Sequence, residues 1–224
     1  MKSNLIVMLT HNDKTVKEAN SIFNDCADLP INFWGFKDVG IPNSQMSDLI
    51  NEMKDRGKTT FLEIVSYTEA ECMQGAKFAV QYGFDYLMGT LFYPSVWKYL
   101  KDQDIKYFPF VGKVYGSPSI LEGSTESMIH ESEFFESEGI DGVDLLAFRH
   151  KNNPESLAKE FIKGSKVPVI LAGSIDSFER IEFVDQATPW AFTMGSALFD
   201  KRFDQNGGFQ ENLCKVIEKM KSIP

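Results

Sequence analysis

Residues 168–200 read PVILAGSIDSFERIEFVDQATPWAFTMGSALFD, and this stretch decides the fold. Two short apolar runs each pass at once into a small-residue turn. Val169-Ile170-Leu171-Ala172 leads into Gly173-Ser174-Ile175, and Ala191-Phe192-Thr193-Met194 leads into Gly195-Ser196-Ala197. Between them, Ser177-Phe178-Glu179-Arg180 opens a segment of helical periodicity. A glycine just past a strand lets the backbone approach a ligand with no side chain in the way. Free N–H groups at a helix start suit an anion at the same spot. Two such turns on adjacent parallel strands make one phosphate pocket, formed by Gly173, Ser174, Ile175, Gly195 and Ser196.

The same alternation runs through the rest of the chain. Strands are expected at Leu5–Leu9, Ile31–Phe36, Thr60–Val65, Tyr86–Met88, Tyr107–Val111, Val143–Phe148, Val167–Leu171 and Ala191–Met194. Helical patterns fill the intervals, as in Met46, Leu49, Ile50 and Met53. Strands alternating with helices imply a parallel sheet. Eight such units predict an α/β fold, a single (β/α)8 TIM barrel with eight parallel strands, spanning residues 1–224 as one domain. An open doubly wound sheet is the competing arrangement. It lacks an early G-x-G-x-x-G turn here, and the glycine-rich turns come last.

Composition narrows the function. The 224 residues carry a net charge of −9, which argues against a broad nucleic-acid surface. No apolar run approaches the ~20 residues of a membrane span. Cys26, Cys72 and Cys214 are odd in number and scattered, so neither a disulfide framework nor a metal site is expected. A reducing, cytoplasmic setting fits. The partner expected is a small phosphorylated metabolite, without nucleic acid or membrane, and a homo-oligomer is left open. His11, Asp13 and His150 lack ligand spacing, so no metal is expected. The acidic segment Glu126–Glu138 reads as an exposed helix face. The long connection Tyr115–Thr125 lies where a barrel builds its active site, and a lid or a plain surface loop would fit there.

Charges within apolar strands point to the site itself. Strand side chains alternate between two faces, and in a barrel one face meets the helices while the other lines the interior. A charge in such a strand belongs inside near the open end, because the helix layer would leave it buried and unpaired. That reasoning selects Lys37, Glu63, Lys113 and Arg149 as catalytic candidates at the mouth. Lys37 and Glu63, on neighbouring strands, pair, either for chemistry or as an ion pair that closes the interior.

The turns LAGSI and TMGSALF resemble the paired turns of the phosphate-binding (β/α)8 barrels. That superfamily includes histidine and tryptophan biosynthetic barrels, ribulose-phosphate epimerase, orotidine-phosphate-decarboxylase-like enzymes and FMN-dependent oxidoreductases. The resemblance implies that Gly173, Ser174, Gly195 and Ser196 hold a phosphate through backbone N–H groups. By motif it covers about the last quarter of the chain. The histidine-pathway barrels place an Asp at the end of the first strand and another midway along the chain. Here Thr10-His11-Asn12-Asp13 ends the first strand and Lys113 follows the fifth, so their isomerisation is not carried over.

The function expected is a lyase or isomerase acting on a small phosphorylated metabolite. Glu63 would serve as general acid/base. Lys37 or Lys113 would stabilise an enolate or form a Schiff base, if burial and a neighbouring cation lower the amine's pKa. Arg149 would clamp a second anionic group. Two other readings stay open. In one, the phosphate belongs to FMN in an oxidoreductase, whereas the lyase/isomerase reading needs no cofactor. In the other, a non-catalytic barrel senses a phosphorylated ligand.

Overall fold

A computed structural model of the chain describes residues 2–223. Its framework is eight parallel strands: β1 (Asn4–Met8), β2 (Phe33–Lys37), β3 (Thr59–Ser66), β4 (Tyr86–Thr90), β5 (Lys106–Phe108), β6 (Val143–Leu145), β7 (Val169–Leu171) and β8 (Ala191–Met194). They run side by side in the order β6-β7-β8-β1-β2-β3-β4-β5. The ring is completed by a parallel bridge between Phe110, just past β5, and Asp144 in β6. There the Asp144 N–H donates to the Pro109 carbonyl at 2.8 Å, and the Val111 N–H donates to the Asp144 carbonyl at 3.3 Å. The eight strands thus form a nearly closed (β/α)8 barrel, the expected architecture.

The helices lie between the strands: α1 (Ala19–Cys26), α2 (Asn43–Asp55), α3 (Glu69–Tyr82), α4 (Pro94–Leu100), α5 (Thr125–Glu138), α6 (Pro154–Gly164), α7 (Phe178–Ala187), the single-turn α8 (Ser196–Phe199) and α9 (Phe209–Ser222). Ser177 caps α7 by accepting from the Arg180 N–H at 3.3 Å, which is why the helical segment begins there. No described helix is long and apolar enough to cross a membrane.

Alternation sorts the strand residues. Trp34 and Phe36 turn to the helix layer, where they meet Phe23 of α1 at 5.1 Å and Phe84 at 5.2 Å between ring centroids. The opposite face fills the barrel. At its lower end Phe33, Phe61, Tyr86 and Phe108 gather around Trp190, with centroids 5.3–6.4 Å from the indole. Aromatic pairs in this range each contribute about 0.5–1.5 kcal/mol beyond area burial. The plug makes the lower end a packed core and leaves polar groups to the upper end.

Three expectations are corrected. The run Val143–Phe148 is a strand only to Leu145, after which the chain turns into a 3₁₀ segment, Ala147–Arg149. Arg149 therefore reaches the site from a turn and not from a strand end. Lys113 does not continue β5. It opens an antiparallel hairpin, Lys113–Tyr115 with Ile120–Glu122, that crosses the mouth. Glu131 is half-buried in the otherwise exposed acidic helix α5, because its carboxylate accepts the Gly112 N–H at 2.7 Å.

Candidate active site

The upper end of the barrel holds a cavity of about 230 Å³. Lys37, Glu63, Arg149, Gly173, Ser174, Ile175, Gly195 and Ser196 all line it. Lys113 is not part of its wall. The Lys113 side chain is 74% exposed and its Nζ lies 3.7 Å from Glu122 across the hairpin.

Lys37 is fixed from two sides. After β1 the chain makes a small hairpin, Thr10–His11 with Lys14–Thr15, through Asn12 and Asp13 at φ 49° and 60°. Two central residues with positive φ are what a tight hairpin needs, and Asn and Asp tolerate that conformation. The Thr15 hydroxyl donates to the Lys37 carbonyl at 2.7 Å and accepts from its N–H at 2.9 Å. The same turn carries Asp13 over the end of β2, with Oδ1 3.1 Å from Lys37 Nζ. Glu63 Oε1 lies 3.8 Å from that nitrogen. Burial works against the Lys37 charge, but the charge of Glu63 and the charge and hydrogen bond of Asp13 outweigh it. The net result is a pKa above the ordinary lysine value. A Schiff base needs the neutral amine, and these surroundings hold the ammonium instead.

Asp144 is the residue that the sequence reading missed. It is fully buried, and neither carboxyl oxygen has a hydrogen-bond partner among the described residues. Burial and then the charge of Glu63 hold its carboxyl well above the usual carboxylate range, against the pull of Lys37. The rule that marks Glu63 in β3 marks Asp144 in Val143-Asp144-Leu145 equally.

The other side of the cavity is built from the two glycine turns. Gly173 and Ser174 have φ of 77° and 60°, so this turn doubles back sharply. The Gly173 N–H donates to the Thr193 hydroxyl at 3.3 Å, linking the ends of β7 and β8. Gly195 is favoured for a different reason. A Cβ there would stand 3.0 Å from the carbonyls of Met8 and Thr10.

Two arginines that the sequence reading passed over support these turns. Arg180 donates to the Ser174 carbonyl and to Asp176 Oδ1 at 3.0 Å, and it stacks on the Phe148 ring at 4.6 Å. Arg202 lies 3.7 Å from the other Asp176 oxygen. Asp200 on the cavity wall lies 2.9 Å from His11 Nε2. These carboxylates thus have cationic or donor partners of their own. Arg149, against the Gly173 turn, forms no ion pair among the described residues. It brings an uncompensated positive charge to this side.

The hairpin closes over the mouth, with Pro118 and Ser119 on the cavity wall. The Tyr67 hydroxyl donates to the Gly116 carbonyl at 2.9 Å and lies 2.7 Å from Ser119 Oγ. His150 contacts the Gly123 carbonyl at 3.2 Å and so helps to seat the hairpin. Cys26 and Cys72 are buried thiols, pushed up to about 12 and about 11, chiefly by burial. They are unreactive positions. Among the described residues, no cluster of His, Cys, Asp or Glu is gathered as for a metal ion.

Neither a scan against protein-family models nor a search of the curated proteins returns a match. Solved structures do match. Orotidine 5′-phosphate decarboxylase from Pyrococcus horikoshii aligns with a TM-score of 0.68 at 14% identity, over 98% of this chain and 100% of that one. The N-acetylmannosamine-6-phosphate 2-epimerase from Clostridium perfringens gives 0.63 at 14%, over 89% and 91%. A monomeric form of the dimeric phosphoribosylanthranilate isomerase from Thermotoga maritima gives 0.66 at 12%, over 99% and 100%. At this level of identity the likeness is one of fold, and the chain has the (β/α)8-barrel fold of these three enzymes over most of its length.

Proposed function

We propose that this barrel is an enzyme of the lyase or isomerase class that acts on a small phosphorylated metabolite. The observation that carries the reading is the division of the cavity. An uncompensated Arg149 and two glycine turns stand on one side, and the Lys37–Glu63 pair stands on the other. The phosphate is held by backbone N–H groups of Ser174 and Ile175 and of the Gly195–Ala197 turn, with Arg149 as its counter-charge, while the Gly173 N–H stays with Thr193. Holding the phosphate away from the chemistry positions the reacting end. The names of the three similar enzymes each include a phosphorylated compound, which supports the same ligand class.

At the reacting end, Glu63 takes a proton from a carbon beside a carbonyl group. The C–H electron pair becomes the new C=C bond, and the carbonyl electrons move onto oxygen. The resulting oxyanion lies against the Lys37 ammonium. Return of the proton to a neighbouring atom completes an isomerisation. Every group used belongs to the chain, so the chemistry needs no added cofactor.

The test has two parts. Calorimetric titration with inorganic phosphate is expected to show binding that weakens in Arg149→Met. A panel of phosphorylated sugars and keto acids, incubated in D2O with the protein, is expected to yield one compound that gains deuterium at a carbon next to its carbonyl. No phosphate binding overturns the reading. A ligand that binds and is recovered without deuterium identifies a sensor, and flavin uptake with redox turnover identifies an oxidoreductase.

A further inference from the structure

The backbone of Asp144 closes the barrel, but its side chain has no structural employment. Both carboxyl oxygens are enclosed and, among the described residues, unpartnered. Its register partners are apolar: Phe110 across the closing bridge and Ile170 in β7. An enclosed carboxyl group without a donor destabilises a fold, and no packing partner here offsets that.

We propose that Asp144 is a positioning residue of the reaction centre: it keeps one proton beside the Lys37–Glu63 pair, so that Glu63 is the inner carboxylate left ionised to accept a proton from substrate. The inference rests on the reading of Lys37 and Glu63 as the reacting groups.

The inner centre has two carboxyl groups and one ammonium, so one carboxyl group has no counter-ion. Solvent access decides which of the two keeps the proton. Glu63 lines the cavity, with 16% of its side chain exposed, and lies within ion-pair range of Lys37. Asp144 has no exposure and does not reach the cavity wall. The less solvated acid is the weaker one. A third carboxylate, Asp13, is 71% exposed at its turn, where water screens it. The charges that act on Asp144 are those of Glu63 and Lys37.

The charge balance explains why this arrangement suits the reaction. With Asp144 neutral, Lys37 and Glu63 sum to zero before proton transfer. Afterwards Lys37 and the substrate oxyanion sum to zero again, with the proton on Glu63. An ionised Asp144 would leave the enclosed centre negative in both states and would oppose the oxyanion.

Carbon-13 NMR of the full-length protein, labelled at the Asp and Glu carboxyl groups, tests the assignment, with Asp144→Asn and Glu63→Gln identifying the two signals. At neutral pH the Asp144 signal is expected in its protonated position and the Glu63 signal in its ionised one. In turnover, Asp144→Asn is expected to shift the alkaline limb of kcat to higher pH and to leave the acid limb in place. An ionised Asp144 at neutral pH, a proton on Glu63, or an alkaline limb unmoved in Asp144→Asn would overturn the proposal. Failure of the phosphate reading would appear separately, as absent inorganic-phosphate binding with the NMR result unchanged.

Discussion

Lys37 and Glu63 form the last register pair of the β2–β3 ladder, and their charged atoms stand 3.8 Å apart on the inner face of the barrel. Neighbouring strands thus deliver an ammonium and a carboxylate to one point, with Asp13 above them. Replacing Lys37 by Met removes the charge that would meet an oxyanion. Turnover is expected to fall by about 10²–10³-fold, the usual cost of deleting such a group. Inorganic-phosphate affinity is expected to persist. Lys113→Met is the control, since that side chain is on the hairpin with Glu122, and its turnover is expected to equal that of the parent. Steady-state kinetics and calorimetry on both variants check this, and a fully active Lys37→Met would refute the assignment.

The two glycines fail differently when replaced. Gly195→Ala sets a methyl group 3.0 Å from the Met8 and Thr10 carbonyls, which must give by a few tenths of an ångström. Overpacking of this kind costs about 1–3 kcal/mol. Gly173→Ala meets no such obstacle, with Arg149 Nε 3.5 Å from the added carbon, but an L-residue at φ 77° costs about 1–2 kcal/mol. Both variants are expected to melt lower and to bind inorganic phosphate more weakly. Urea unfolding and phosphate titration measure the two effects, and unchanged phosphate affinity in both would remove the turns from the site.

Asp144 gives the stability a definite pH dependence. Its carboxyl holds a proton in the folded barrel at pH values where the unfolded chain has released it. The folded state therefore binds more protons than the unfolded one. The contribution of this group to stability falls as pH rises from the ordinary Asp range through the raised folded value. The slope within that window is at most about 1.4 kcal/mol per pH unit. Asp144→Asn is expected to remove the slope, so the variant gains stability relative to the parent as pH rises through the window. Urea midpoints measured from pH 4 to pH 8 test the sign, and a constant difference would exclude it.

The Tyr67 hydroxyl is the tie between the β3–α3 connection and the hairpin over the mouth. Tyr67→Phe removes it and leaves the ring. Hydrogen exchange in residues 113–122 is expected to quicken. Global stability is expected to fall by about 0.5–1.5 kcal/mol or less, the worth of an ordinary hydrogen bond. Exchange that stays as slow as in the parent would show that the hairpin is held by other contacts.

The barrel was legible because alternation of apolar runs with helical patterns is a local signal, repeated eight times. Lys37 and Glu63 were legible because parity is reliable inside a strand. Parity fails past a strand end, and that explains Lys113. Pro109 and then Gly112, with φ 77°, break the period before Lys113 is reached. Arg149 reached the predicted cavity by an unpredicted route, because Leu146-Ala147-Phe148 carries no glycine or proline to announce the 3₁₀ turn. Arg180 and Arg202 also escaped notice. Asp176 and Arg180 are four residues apart at the start of α7, a local spacing that could have marked the pair, whereas Arg202 meets Asp176 only after the post-β8 segment has folded beside the β7 turn.

The aromatic plug around Trp190 has a kinetic consequence. The lower end is filled by packed rings, and the cavity lies at the upper end, against the hairpin. Under the proposed function, reactant and product would share that end of the barrel and the same turns. A phosphorylated product would then have to depart before the next reactant enters, so product inhibition is expected to be competitive and turnover limited by departure.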